Sequence, residues 1–152
     1  MDMTTYLLMR NRWGGGGTGG NEDAIIDRSI TEIENNTVTS IGEAAFNGCY
    51  ALTTANFPAV TSIEPYAFSG CSSLTTVSFP AVISIGRYAF ASCNSLITVS
   101  FPVATSTGMA AFNNCHYLTA ANLPALTSIE MYVFDGCNAL TTASFPAATG
   151  IG

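Results

Sequence analysis

Five cysteines stand at residues 49, 71, 93, 115 and 137, each 22 residues from the next. Thiolates hold soft metals, close disulfides or attack electrophiles, so this column is the first place to look for chemistry. Its spacing argues against all three. Cysteine metal sites use pairs roughly two to four residues apart or histidine partners, whereas the chain has no Cys-x-x-Cys and a single histidine, His116. If the five stack on successive parallel coils, adjacent Cβ atoms lie about 4.8 Å apart, beyond the ~3.5–4.5 Å a disulfide takes, and an odd count cannot pair fully. The column reads as buried free thiols, small apolar residues of a core.

The other reactive types are as sparse. Cys115 beside His116 imitates a nucleophile and its base, but sequence neighbours point apart, and the other four cysteines have no adjacent histidine. Glu64 and Glu130 fall in a column that is otherwise glycine and do not form an acid–base pair. Gly14 to Gly20 (GGGGTGG) lacks the Gly-Lys-Ser/Thr ending of a phosphate loop and reads as a flexible linker. The expectation is a protein with no catalytic, cofactor-binding or metal-binding residues.

Composition narrows the class. The chain has 152 residues, 48% hydrophobic and 9% charged, which suits a single ordered domain. Net charge is −6, and Arg10, Arg12, Arg28 and Arg87 are the only basic residues besides His116, so no basic stripe exists to neutralise phosphates. Nucleic acid is excluded as a partner. Tyr6 to Met9 is too short for a secretory signal and is followed by Arg10 and Arg12. Polar residues interrupt every apolar stretch that approaches the roughly 18 residues of a membrane span.

The step of 22 aligns far more than cysteine. It superposes Phe46, Phe68, Phe90, Phe112 and Phe134; Leu52, Leu74, Leu96, Leu118 and Leu140; Cys49, Cys71, Cys93, Cys115 and Cys137; and Pro58, Pro80, Pro102, Pro124 and Pro146. Five rungs follow without an insertion: 41–62, 63–84, 85–106, 107–128 and 129–150. In Leu74-Thr-Thr-Val77-Ser-Phe79-Pro80, apolar Val77 and Phe79 alternate with polar Thr76 and Ser78, the period of a strand, and Pro80 ends it for want of an N–H. In Ile85 to Cys93, the spacing of Ala89, Phe90 and Cys93 predicts a single helical or 3₁₀ turn. One rung buries too little to fold alone, so rungs must stack, with strands paired in parallel and the Phe, Leu and Cys columns shared between neighbours.

The motif S-I-G-x-x-A-F-x-x-C-x-x-L-T-x-x-x-F-P-A-x-x-S, read at 40–62 and repeated to residue 150, resembles the BspA-like leucine-rich repeat of bacteria and some protists. The resemblance implies an α/β-type repeat: a leucine-rich-repeat solenoid with a parallel β-sheet on the concave face and turns or short 3₁₀/α turns on the convex face. It also implies surface adhesion to host matrix proteins or other cells, or a role in phage and prophage particles, and hence a cell-surface or virion location. It brings no catalytic motif. Thr107 departs from the turn Ile, Leu123 from the strand Phe and Val133 from the Ala before Phe134.

The ends differ from the body. Residues 1–20 form an apolar arm and the Gly-rich linker. Residues 21–40 read as a degenerate capping rung, with Ile30 under Leu52, Ile33 under Ala55 and Val38 under Val60, but Ala24 under Phe46 and Asp27 under Cys49. Residues 151–152 begin a sixth rung, so the expectation is either a longer chain or a C-terminal strand edge that pairs with another copy.

One surface remains. Outward strand positions read Thr54 and Asn56, Thr76 and Ser78, Thr98 and Ser100, Ala120 and Asn122, Thr142 and Ser144, an uncharged sheet of hydroxyls and amides. It serves either as a soluble β face or as a docking face for a protein or carbohydrate partner. A third reading, ice binding through Thr-x-Ser ladders, is weakened by Ala120. The alternative to a binding or adhesion module is a self-assembling structural protein using the C-terminal edge and the N-terminal arm.

Overall fold

A computed structural model describes residues 28–152. The arm, the Gly-rich linker and positions 21–27 of the capping rung lie outside the described residues. Each coil contributes two short strands that pair with their counterparts 22 residues away.

The first ladder contains β1 (Glu32–Glu34), β3 (Thr54–Asn56), β5 (Thr76–Ser78), β7 (Thr98–Ser100), β9 (Ala120–Asn122) and β11 (Thr142–Ser144). All its pairings are parallel, and it falls into two sheets, β1-β3-β5 and β7-β9-β11. The register places Thr54 opposite Thr76, Ala55 opposite Val77 and Asn56 opposite Ser78. Outward hydroxyls and inward Ala or Val alternate as a half-buried strand requires.

The second ladder was not foreseen as strand. Ser40–Ile41 (β2), Ser62–Ile63 (β4), Ser84–Ile85 (β6), Ser106–Thr107 (β8), Ser128–Ile129 (β10) and Gly150–Ile151 (β12) also pair in parallel, as sheets β2-β4-β6-β8 and β10-β12. The residue expected to open a turn, Ile63 or Ile85, is a strand residue whose side chain is buried.

The third side corrects the expected helical turn: no helix occurs among the described residues, and 43–48 and its counterparts are successive turns. The cause is backbone handedness. Two columns per rung hold positive φ: Ala44, Tyr66, Tyr88, Ala110 and Tyr132 in one, Gly48, Gly70, Ser92, Asn114 and Gly136 in the other. An α-helix of L-residues cannot pass through such positions. The N–H groups turn toward the next rung instead, as Phe46 N–H donates to Ala67 O at 2.7 Å, Phe68 N–H to Ala89 O at 2.7 Å and Gly48 N–H to Ser69 O at 2.8 Å. Most neighbouring coils are thus stitched on three sides.

The interior is a stack of columns. Phe68, Phe90, Phe112, Leu52, Leu74, Leu96, Leu118 and the cysteines at 49, 71, 93 and 115 are fully buried, and Phe46 nearly so. Phe46, Phe68, Phe90, Phe112 and Phe134 stack face to face with centroids 5.0, 5.2, 5.4 and 5.6 Å apart. A second aromatic column, Phe57, Phe79 and Phe101, interdigitates with it, for instance Phe68 with Phe79 at 5.7 Å and 63°. Phe134, Cys137 and Leu140 are only half-buried, because no further rung covers them among the described residues. At the other end Asn35 Oδ1 accepts the N–H groups of Thr37 and Val38, both at 2.9 Å, closing the coil where later rungs carry Phe.

Candidate binding face

Alternation on the first ladder decides which side chains face out. Inward Ala55, Val99 and Ala121 are buried, while Thr76, Ser78, Thr98, Ser100, Asn122, Thr142 and Ser144 are exposed; Thr54, Asn56 and Ala120 are half-buried. The structure therefore brings all nine sequence-selected polar residues onto one surface. Two amides tie its rungs together: Asn56 Nδ2 donates to Glu34 Oε1 at 3.1 Å, and Asn122 Nδ2 to Ser100 Oγ at 3.4 Å. Glu32 and Glu34, opposite Thr54 and Asn56, give this otherwise uncharged surface an acidic first row.

Sequence reasoning missed the residues that clamp the face. In the column just before the strands, Thr53, Thr75, Thr119 and Thr141 each donate an Oγ1–H to the carbonyl of the rung below, at 2.8, 3.1, 3.1 and 3.3 Å. The repeated Leu-Thr was the available signal, read only as the strand's beginning. Ile97 interrupts that column and is 51% exposed, and Val103 flanks the far side of the strands at 45%.

The other candidates do not converge on a site. Three buried thiols each donate to a carbonyl of the preceding rung: Cys71 Sγ to Phe46 O at 3.1 Å, Cys93 Sγ to Phe68 O at 3.2 Å and Cys115 Sγ to Phe90 O at 3.1 Å. Burial pushes Cys71 and Cys93 far above the usual thiol range, which disfavours the reactive thiolate. Cys115 rises through its hydrogen bond with the Cys137 thiol and then through burial, while the same contact draws half-buried Cys137 down. His116 does not serve Cys115; its exposed ring bonds Gly136 O through Nδ1 at 3.0 Å. Among the described residues no cluster of three His, Cys, Asp or Glu is placed to hold a metal ion. No helix among them is long and apolar enough to cross a membrane.

Parallel coils at a fixed 22-residue register around Phe and Leu columns define a leucine-rich-repeat solenoid of about five turns. Residues 22–141 match the model of the BspA type leucine rich repeat region, in six copies, and the chain belongs to that family. Among solved structures it is similar to a leucine rich cell surface protein of Faecalibacterium prausnitzii, with a TM-score of 0.70 and 28% identity over 78% of this chain. The chain spans 32% of that protein's length. It shares its fold with the leucine rich repeat protein of T. pallidum, with a TM-score of 0.54 and 24% identity over 81% of this chain and 67% of that one. No curated protein sequence matches the chain.

Proposed function

We propose that this chain is a noncatalytic binding module of surface-protein type, and that the first ladder is the face that meets a protein or carbohydrate partner, as in adhesion. The observation that carries this reading is the array of mostly exposed, uncharged hydroxyl and amide side chains from Thr54 to Ser144, in register within each of two parallel sheets. Such an array offers hydrogen bonds without the desolvation cost of charges, and repeat proteins commonly bind through such extended faces. Membership of the BspA-type family and likeness to a protein named as a cell surface protein support the adhesive role and a surface location.

The test is a triple variant, Thr76→Lys, Thr98→Lys and Thr142→Lys, measured against immobilised host-matrix proteins, a glycan array and intact cells. Three ammonium groups on the array should abolish binding while the circular dichroism spectrum and melting temperature stay unchanged. Undiminished binding by the folded variant rejects this face.

A further inference from the structure

The first ladder is open at one step. In the column just before the strands, the N–H groups of Thr53, Thr75, Thr119 and Thr141 all bond the rung below, at 2.7 to 3.0 Å, but the equivalent bond from Ile97 to Thr75 O is missing. In the column just after them, Asn35, Phe57, Phe101 and Leu123 bond the rung above at 3.0 to 3.1 Å, but Phe79 does not bond Ser100 O. Between these positions β5 and β7 share no ladder among the described residues.

Two side-chain features coincide with the gap. The inward column runs Ile33, Ala55, Val77, Val99, Ala121, Ala143, so only at this step does one β-branched valine lie on another. At every other step of this ladder at least one member of the pair is a small alanine. Ile97 also stands where neighbouring rungs place the clamping threonine, and it has no hydroxyl to donate. Val77 accordingly stays half-buried while Ala55 and Val99 are buried.

The same two rungs are closed on their other sides. The second ladder continues through β6 and β8, with Thr105 N–H donating to Ile83 O at 2.9 Å. On the turn side, Tyr66 bonds Arg87, Phe68 bonds Ala89 and Gly70 bonds Ala91, at 3.0, 2.7 and 2.8 Å. Ring spacing follows this asymmetry. Phe68 and Phe90, toward the turns, stack at 5.2 Å and 3°, whereas Phe79 and Phe101, beside the open strands, lie 6.1 Å apart at 14°, against 5.6 Å and 5° for Phe57 and Phe79.

We infer that the step between β5 and β7 is a built-in joint: two stitched sides act as the hinge, and the strand face opens and closes along the unstitched third. Thr76 and Ser78 lie on one lip, Thr98 and Ser100 on the other. Bending there changes the spacing of the hydroxyl rows and lets an otherwise rigid face adjust its curvature. The joint does not depend on the binding reading, and its test needs no partner.

Amide hydrogen exchange on the intact chain, resolved by NMR, reads the joint directly. The Ile97 and Phe79 amides should exchange at least tenfold faster than those of Thr75, Thr119, Phe57 and Phe101. The double variant Val77→Ala and Ile97→Thr restores an Ala–Val pair and the clamp, and should slow the amides at positions 79 and 97 to the rate of their neighbours. Ile97→Thr alone, at an exposed position, should slow the amide at 97 at least threefold, and it covers the case in which the double variant does not fold. Equal protection of all these amides in the natural chain overturns the joint, as does a folded closing variant in which positions 79 and 97 still exchange fast.

Discussion

The thiol of Cys93 donates to the carbonyl oxygen of Phe68, one rung away, at 3.2 Å. The same oxygen accepts the N–H of Cys71 at 3.1 Å, so the carbonyl closes a turn within its own rung and receives the next rung's sulfur. Cys71, Cys93 and Cys115 are therefore each both a small core residue and a weak stitch between coils.

Replacing Cys93 by alanine removes the stitch and a sulfur's volume but leaves Phe68 O paired through Cys71 N–H. The expected cost is about 1–2 kcal/mol, from a small cavity and one weak hydrogen bond. Urea denaturation of the variant against the natural chain measures it. A loss under about 0.3 kcal/mol would show that the sulfur contributes nothing there.

Buried thiols also make stability fall at alkaline pH. Burial raises Cys71 and Cys93 above the ordinary thiol value of 9.0, so in the folded chain they stay protonated where the unfolded chain ionises. The sign follows from linkage: their contribution is complete below pH 9.0 and is lost as pH rises beyond it, because the unfolded state then binds fewer protons. Each thiol should lower stability by up to about 1.4 kcal/mol per pH unit in that range. Denaturation midpoints between pH 7 and 11 should decline less steeply in a Cys71→Ala, Cys93→Ala variant than in the natural chain.

Inward and outward residues should respond very differently to truncation. Phe90 has no solvent exposure and touches four rings, those of Phe68, Phe79, Phe101 and Phe112. Phe90→Ala is expected to cost about 3–5 kcal/mol. Exposed Thr98→Ala should change stability by less than about 1 kcal/mol. Comparable losses in thermal melts of the two variants would contradict the inside–outside assignment of the rung.

That assignment was legible because a column of identical residues every 22 positions has only one economical explanation, and Thr-Val-Ser carries its strand period openly. The second ladder was not legible, since Ser84–Ile85 is too short to display any period. The helical turn misled for a physical reason. Ala89, Phe90 and Cys93 gather on one side in a helix and in a run of turns alike, and the left-handed backbone at Tyr66 and Tyr88 has no side-chain signature, tyrosine being a poor occupant of that region. Gly48, Gly70 and Gly136 did mark the second left-handed column, but Ser92 and Asn114 concealed its regularity. The open step between β5 and β7 was invisible to a rung-by-rung reading, because it is a property of two rungs together, where Val77 is set beside Val99.

The second ladder has its own imperfect step, at Thr107. Ile41, Ile63, Ile85, Ile129 and Ile151 occupy this column in the other rungs, and the N–H just beyond β4, β6, β8 and β12 bonds the Ile carbonyl of the preceding rung, as Gly86 does to Ile63 O and Gly108 to Ile85 O, both at 2.7 Å. Thr107 is 5% exposed, its Oγ1 finds no hydrogen-bond partner, and β8 and β10 form no ladder across it. A buried hydroxyl without a partner costs about 1–3 kcal/mol, and isoleucine adds apolar volume to the core in place of that group. Thr107→Ile should therefore stabilise the chain by about 1–2 kcal/mol and slow exchange of the Glu130 amide, the donor that the repaired ladder would engage. Thermal melts and exchange read on the same sample check both effects; a variant no more stable than the natural chain would mean that the isoleucine side chain does not fit the gap Thr107 leaves.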